Sequence, residues 1–259
     1  MDVKIGASMK WINIILFLLM VLVNGLAGGS TIIGGKNTAE ISNAYPTLVT
    51  PAGYVFSIWG IIYILLLVFT VYQALPSQQD KDYHQKIGLL FSLSCAANII
   101  WLFLWQYVYL GVSVILMLIL LGSLITIYLR LDINRNDSPI SEKLAVQLPF
   151  SIYLGWITIA TIANIAVALV AYNWMGFGVS PETWAIAVIL VALVIGLTVT
   201  VTRRDVAYPL VIIWALIGIS VNQAGNTVIA SLTRTSAIIV ALAALVVIVL
   251  NIRDKITQS

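Results

Sequence analysis

The chain has 259 residues, of which 61% are hydrophobic and only 9% are charged, and its mean hydropathy is +1.05. In a soluble domain about a quarter of all residues are charged. This composition therefore excludes a soluble protein and indicates a polytopic membrane protein. The net charge of +3, with no dense cluster of Lys and Arg, excludes a nucleic-acid-binding protein. With one cysteine, Cys95, and one histidine, His84, the chain has no intrachain disulfide and no predicted metal site.

Eight apolar segments are long enough to cross the hydrocarbon core, which takes about 20 helical residues. In chain order they are 11–29, 53–74, 87–105, 108–129, 144–170, 184–202, 206–226 and 236–252. Spans three and four are separated by little more than Gln106 and Tyr107, which predicts a tight antiparallel hairpin. Polar residues 231–235 are predicted to connect spans seven and eight. The predicted fold class is therefore an all-α polytopic membrane protein.

The basic residues predict the direction of these spans. With both termini in the cytoplasm, 11 of the 13 Lys and Arg residues face inside, and only Lys36 and Arg234 face outside. We therefore expect an integral protein of the cell membrane with eight spans and cytoplasmic termini. The alternative is that the first segment is a cleaved signal peptide, which would leave seven spans.

Ionisable residues avoid the middle of every predicted span, whereas amides do not. This argues against an ion-coupled pump and against catalysis by carboxylates, histidine or a bound metal. Four amides fall in the outer half of the odd-numbered spans, at broadly similar depth: Asn24, Asn98, Asn164 and Asn222. Such amides are often explained by hydrogen bonds between helices.

The start of span two, PAGYVFSIWGIIY at 51–63, is unusually aromatic for a lipid-facing helix. Further aromatic residues follow on spans three and five, and Trp59 and Trp156 lie too deep for an interfacial aromatic belt. Two interpretations stay open on physical grounds, helix packing and the lining of a pocket for a flat ligand. The aromatic residues of interest in these spans are Tyr54, Phe56, Trp59, Tyr63, Trp101, Trp105, Tyr153 and Trp156.

Three motifs on spans two, three and five resemble those of the TspO family, the tryptophan-rich sensory proteins related to the mitochondrial translocator protein. The start of span two is similar to the second-helix signature of the family, with Tyr54 where tryptophan is usual and Ala52 where a second proline is usual. NIIWLFLW resembles the third-helix Asn-x-x-Trp, and YLGWITIATIAN the fifth-helix pattern. The matching residues are Pro51, Gly53, Val55, Phe56, Trp59, Tyr63, Asn98, Trp101, Tyr153, Leu154, Trp156, Ala160, Thr161 and Asn164.

The resemblance implies a TspO-like five-helix bundle in residues 1–172, followed by a transmembrane extension of three helices in residues 173–259. It implies a receptor or sensor rather than an enzyme, with no required cofactor. The implied ligand is flat and hydrophobic, such as a porphyrin or another tetrapyrrole, and the protein would aid its transport or turnover. Trp59 and Trp156 would face each other across the pocket, under a lid formed by residues 34–50. The implied ligand-binding residues are Tyr54, Phe56, Trp59, Tyr63, Asn98, Trp101, Tyr153, Trp156 and Asn164.

Two other functions remain open. In a small-solute or lipid permease, Asn222, Gln223 and Asn226 would form a polar gate, and spans six to eight would line the path. In an accessory subunit, the chain would have no ligand of its own. The expected partners are the lipid bilayer and a hydrophobic aromatic small molecule. The glycines of residues 25–29 would support close helix contacts in a homodimer.

Overall fold

The computed structural model describes residues 2–28, 30 and 32–258, and within them the chain is a bundle of long helices. Six helices are long and apolar enough to cross a membrane, and two further apolar helices have 17 and 16 residues. The eight helices are α1 (Asp2–Gly28), α2 (Ile58–Ala74), α3 (Leu90–Gln106), α4 (Leu110–Arg130), α5 (Leu148–Ala171), α6 (Pro181–Arg203), α7 (Ala207–Asn222) and α8 (Thr227–Gln258). The prediction of an all-α membrane fold is therefore confirmed.

Helices α1 to α5 form a closed ring, in which the order around the ring is α1, α3, α4, α5, α2. Since α3 and α4 are joined by only three residues, 107–109, they form the tight antiparallel hairpin that the sequence predicts. Three phenylalanines from different helices meet edge to face in the ring, and all three are fully buried: Phe69, Phe91 and Phe150. Such contacts between aromatic edges and faces stabilise the ring beyond the burial of apolar area.

Helix α5 begins irregularly, because a π-helical turn at Lys143–Gln147 precedes its second residue, Pro149. Proline has no N–H for the helical ladder, and a π turn is a common local adjustment at such a point. The side chain of Gln147 then holds the loop before it. Its Oε1 accepts from the backbone N–H of Asn134 at 3.2 Å, and its Nε2 donates to Asn136 Oδ1 at 2.9 Å.

Helices α6 to α8 form a second unit, which docks on the ring through α7. At the crossing with α5, a Cβ on Gly155 would lie 3.0 Å from the carbonyl oxygen of Tyr208 and 3.1 Å from Val211 Cβ. Only glycine allows this approach, and small residues commonly permit such close helix crossings in membranes. The ring and the second unit are therefore packed backbone to backbone at this point.

One predicted boundary is wrong. Residues 231–235 do not connect spans seven and eight, because α8 already begins at Thr227. The connection is residues 223–226, and Asn226 caps α8 by accepting from the backbone N–H of Ile229 at 3.1 Å. The Ser, Thr and Arg residues at 231–235 are typical of a loop, but Asn226, the N-cap residue of α8, determines that the helix starts at Thr227.

Gly25 and Gly28 have no close helix neighbour in the part of the chain that the structure describes. Gly29 lies outside the described residues, and a Cβ on Gly25 or Gly28 would meet nothing within 4 Å. Their role in a homodimer stays a prediction.

Candidate ligand cavity

A cavity of about 190 Å³ lies inside the ring, between α1, α2, α3 and the loop that joins α1 to α2. Phe56, Trp59 and Tyr63 line it from α2 and the turn before it, and Trp101 and Leu102 line it from α3. The loop closes the cavity on one side, and Asn24 contributes an amide from α1. The lining residues are Asn24, Gly28, Asn37, Thr38, Ala39, Phe56, Trp59, Tyr63, Trp101 and Leu102. Four of these ten residues are aromatic and three are polar, so the cavity combines aromatic surface with a few polar groups.

The aromatic wall is one continuous cluster of rings from α2 and α5. Trp59 stacks on Tyr63, with ring centroids 5.5 Å apart and planes 18° apart. Its ring also meets Tyr153 at 6.1 Å and Trp156 at 6.0 Å, both nearly edge to face, and Phe56 meets Trp156 at 5.9 Å. The face of Trp59 that lines the cavity is thus held in position by rings behind it.

Two amide networks hold the polar side chains around the cavity. In the first, Asn24 Nδ2 donates to Asn98 Oδ1 at 2.7 Å, and Asn98 Nδ2 donates to the Tyr153 hydroxyl at 3.4 Å. In the second, Trp101 Nε1 donates to Asn164 Oδ1 at 2.7 Å, and Asn164 Nδ2 donates to Ser113 Oγ at 3.0 Å. Each network joins different helices, so it fixes both the spacing of the helices and the orientation of the ring that it holds.

The loop over the cavity contains a short helix, Thr38–Ala44. The Asn37 side chain accepts from the backbone N–H of Glu40 at 2.9 Å, and the Glu40 carboxylate accepts from the backbone N–H of Asn37 at 2.8 Å. This reciprocal pair is a capping box, which stabilises the start of a helix. From α3, Trp105 Nε1 donates to the carbonyl oxygen of Thr38 at 3.3 Å. This helix lies within residues 34–50, the segment predicted to form the lid.

Three buried polar atoms around the cavity have no hydrogen-bond partner among the described residues: the Tyr63 hydroxyl, Trp156 Nε1 and Gln106 Oε1. A buried polar group without a partner is costly and usually has an explanation, such as a bound ligand or water. Tyr63 also lines the cavity. The hydroxyl itself is enclosed by protein, so a bound molecule reaches it only after neighbouring side chains move.

The predicted site residues fall into three groups in the structure. Phe56, Trp59, Tyr63 and Trp101 line the cavity. Asn98, Tyr153, Trp156 and Asn164 are buried behind them and hold the walls. Tyr54 lies elsewhere, since it is 46% exposed and its ring packs against Trp214 of α7 at 5.3 Å. The role of all nine residues in ligand binding stays a prediction.

One detail of the predicted pocket is wrong. Trp59 and Trp156 do not face each other across an open space, because their rings are in edge-to-face contact at 6.0 Å and Trp156 is only 2% exposed. Trp101, and not Trp156, lines the cavity together with Trp59. The reason is the ring order of the helices, in which α5, the helix of Trp156, packs directly on α2, whereas α3, the helix of Trp101, is not a neighbour of α2.

The comparison with protein families matches residues 10–251 to the model described as TSPO-like protein. The chain belongs to the TSPO-like protein family. The match runs beyond residue 172 and includes α6, α7 and most of α8, so the C-terminal helices are part of what this family model describes. No curated protein and no solved structure matches the chain.

In this TSPO-like protein, several cavity residues were not among the predicted site residues. The sequence predicts Asn24 only as an amide in the outer half of span one, and Asn37, Thr38 and Ala39 only as part of the lid. A local signal for them exists in the sequence, because Asn37 followed by Glu40 three residues later is the spacing of a capping box. Gly28 and Leu102 carry no such signal, since an apolar residue on a membrane helix faces lipid and cavity equally well.

The amides that a permease would use as a gate have other partners in this TSPO-like protein. Asn222 Nδ2 donates to the carbonyl oxygen of Thr50 at 3.0 Å, and Gln223 Nε2 donates to that of Thr47 at 3.1 Å. Asn226 caps α8. These side chains are bound to backbone groups, so they do not form the open polar lining that a translocation path needs.

The single histidine of this TSPO-like protein, His84, does not line the cavity. It lies in the short helix Tyr83–Ile87 between α2 and α3. Its Nε2 is 2.8 Å from the carbonyl oxygen of Gln78. Burial, and to a lesser extent the positive charge of Lys10, lowers the pKa of His84 below its ordinary value of 6.5. Among the described residues, no three His, Cys, Asp or Glu side chains are grouped so as to hold a metal ion.

Proposed function

We propose that this protein is a membrane receptor or sensor that binds a flat hydrophobic ligand of the tetrapyrrole kind in the cavity beneath the lid. The observation that carries the proposal is the cavity lining, in which the stacked rings of Trp59 and Tyr63 from α2 and the ring of Trp101 from α3 share one cavity. Several aromatic rings around one cavity suit a planar ligand, because aromatic faces stack on it. The amide of Asn24 supplies a polar contact that orients a ligand in an apolar site.

The size of the cavity adds a condition to this proposal. Its volume of about 190 Å³ is below the range of about 300–1,000 Å³ that is usual for sites of drug-sized ligands. A tetrapyrrole is at least as large as such ligands, so the lid must lift for it to enter. The proposal therefore includes movement of the lid, which is held over the cavity by side-chain hydrogen bonds from Trp105 and Gln106.

The test is a titration of the detergent-purified protein with protoporphyrin IX, followed by tryptophan quenching and by the absorbance of the porphyrin itself. We expect saturable binding to the unaltered protein. Trp59→Ala removes one face of the cavity and should weaken binding by about tenfold or more, since an aromatic contact and its buried area are worth at least about 1.4 kcal/mol.

The matched control is Trp174→Ala, which also removes one tryptophan. Trp174 lies in the loop after α5, where it packs on Phe177 and Trp184, away from the cavity. This variant should bind as the unaltered protein does. Equal affinity of the Trp59→Ala variant, with its helical content and melting temperature preserved, would contradict the assignment of the cavity as the binding site.

We further propose that all eight helices cross the membrane, with both termini in the cytoplasm. The distribution of basic residues supports this topology, since 11 of 13 would lie inside. The 17 and 16 residues of α3 and α7 give lengths of about 24–26 Å at 1.5 Å per residue. This is slightly less than the hydrocarbon thickness of about 30 Å, and a modest local thinning of the bilayer accommodates such a mismatch.

A further inference from the structure

Helix α7, from the C-terminal unit, is bonded directly to the end of the lid and to the turn that follows it. Besides the bonds that Asn222 and Gln223 donate to Thr50 and Thr47, the backbone N–H of Ala52 donates to the carbonyl oxygen of Gly218 at 3.0 Å. One turn further along α7, Trp214 Nε1 donates to the carbonyl oxygen of Val55 at 3.1 Å. Residues 47–55 are thus attached to α7 at four points.

Packing reinforces these four hydrogen bonds. A Cβ on Gly218 would lie 2.1 Å from Val55 Cγ2 and 3.3 Å from Pro51 Cβ, so only glycine permits the contact. Val55 is completely buried, and the ring of Tyr54 packs edge to face on Trp214. Segment 47–55 therefore cannot leave α7 without losing hydrogen bonds, buried area and an aromatic contact together.

The other part of the lid, the helix Thr38–Ala44 that covers the cavity, is held by fewer bonds. Its hydrogen bonds to the end of α3 involve only the Trp105 and Gln106 side chains, which donate to Thr38 at 3.3 Å and 3.2 Å. Gln106 keeps an unpaired Oε1 there. On its N-terminal side, Gly34 and Gly35 both have φ near +75°, a region that glycine adopts without strain, and Gly34 packs on α3, where a Cβ would lie 2.5 Å from the carbonyl oxygen of Gln106. The lid is therefore held unequally in its hydrogen bonds, with two at this end and four at 47–55.

We propose that α7 is the fixed hinge of the lid, and that Asn222 and Gln223 are positioning residues for entry of the ligand into the cavity. The lid opens where Thr38–Ala44 meets α3, while segment 47–55 stays on α7. The C-terminal unit then takes part in ligand binding without touching the ligand, because it determines where the lid returns when it closes. The proposal rests on the function proposed above for the cavity itself, although the hinge can be measured without any ligand.

The first experiment measures backbone hydrogen exchange in the ligand-free protein in detergent. The variant Asn222→Leu/Gln223→Leu removes both amide donors from the lid and keeps apolar side chains on α7. We expect exchange across residues 47–55 to rise by about tenfold or more, because two hydrogen bonds that hold this segment closed are lost. Exchange in α3 and α4 should stay unchanged.

The matched control is Asn251→Leu. Asn251 also donates from its amide to a backbone carbonyl in the C-terminal unit, that of Arg204 at 3.4 Å, but at the other end of α8. This variant should leave exchange at residues 47–55 unchanged. A milder variant, Trp214→Phe, removes one donor and keeps an aromatic ring on Tyr54, so it tests the hinge even if the double variant does not fold.

The second experiment measures how fast bound protoporphyrin IX leaves the same variants. The hinge predicts faster release from the Asn222→Leu/Gln223→Leu variant at an unchanged melting temperature, and unchanged release from the control. Unchanged exchange at 47–55 in both lid variants would overturn the hinge, whatever binds in the cavity. Unchanged release despite raised exchange would overturn the positioning role. If the unaltered protein does not bind protoporphyrin IX, the proposed ligand fails, while the exchange experiment still decides the hinge.

Discussion

Trp101 illustrates how a single amide determines the orientation of an aromatic ring in this protein. Its indole Nε1 donates to Asn164 Oδ1 at 2.7 Å, and Asn164 is itself held by Ser113 of α4. The ring stands in the cavity wall and also stacks on Trp105, with centroids 5.8 Å apart. Because a buried N–H needs a partner, the orientation of Trp101 depends on an α5 residue that is distant in sequence.

Replacement of Asn164 by leucine should therefore disturb the cavity wall. Asn164→Leu leaves the Trp101 indole without its acceptor, while Ser113 keeps its bond to the carbonyl oxygen of Leu110, and we expect a loss of about 1–2 kcal/mol in the free energy of unfolding. Thermal melting in detergent and the tryptophan emission maximum measure this effect. Ser113→Ala keeps the bond to Trp101 and should cost clearly less. Equal effects of the two variants would show that the Trp101 bond is not what makes Asn164 important.

Individual site residues were only partly predictable from the sequence. The aromatic residues at 54–63 share one segment, so their local spacing is visible, but spacing does not tell which ring meets the cavity. Tyr54 and Phe56 are two residues apart, yet one packs on Trp214 and the other lines the cavity. The 3₁₀ turn at Gly53–Ser57 places them on different sides, and nothing in the apolar pattern signals that turn.

At the scale of elements, the turn between α6 and α7 connects the C-terminal unit to the ring. Asp205 is 1% exposed and accepts four hydrogen bonds. Its Oδ1 accepts from the backbone N–H groups of Ala207 and Tyr208 at 2.9 Å and 3.4 Å. Its Oδ2 accepts from the hydroxyls of Tyr128 and Ser151 at 2.8 Å and 2.6 Å. One carboxylate thus caps α7 and bonds to α4 and α5.

Asp205→Ala should accordingly weaken the contact of α7 with the ring at the N-terminal end of α7. It leaves two buried hydroxyls and the first turn of α7 without their acceptor, and we expect a loss of about 2–3 kcal/mol in stability. The melting temperature in detergent is the measurement, with Asp137→Ala as the control, since Asp137 is exposed on the loop before α5. A melting temperature that is the same in both variants would show that Asp205 does not connect the two units.

The helices were predicted well where the length of an apolar run determines them. They were predicted poorly where an N-cap residue determines where a helix begins. Seven of the predicted spans agree with α1 to α7 apart from their ends, because a long apolar run can only be a helix in a membrane. The start of α8 was placed nine residues late, since its first turns contain Ser231, Thr233 and Arg234. Asp205 falls between the predicted spans 184–202 and 206–226, and its burial depends on hydroxyls that come from α4 and α5.

For the whole molecule, the proposed topology gives a direct prediction for labelling in membranes. In a Cys95→Ala background, single cysteines at Asp80, Asp137 and Thr257 should react with a membrane-impermeant maleimide only after permeabilisation, because these exposed positions lie inside. A cysteine at Ser180 should react in intact cells. Asp137 and Thr257 are separated by α5 to α8, so labelling of these two positions from opposite sides would show that one of the four helices does not cross.

The division into a five-helix unit, 1–172, and a three-helix extension, 173–259, stays a prediction. The ring of α1 to α5 is closed on its own, as that division requires. However, α7 is bonded to the end of the lid and packs against Val55 of the ring, and the family match continues to residue 251. The two units therefore share the region that closes the cavity.

The sequence alone determined the membrane class, the number of apolar helices and the family, because each depends on the length of local segments or on short motifs. A helix in lipid satisfies its backbone hydrogen bonds internally, so its existence does not depend on distant residues. Only the tertiary structure decided that Trp101 and Trp59 line one cavity, that Asp205 is buried and that α7 is bonded to the end of the lid. The bonds from Trp214 to Val55 and from Asn222 to Thr50 join residues 159 and 172 positions apart. Such contacts follow from how the helices pack around one another, and no local pattern carries that information.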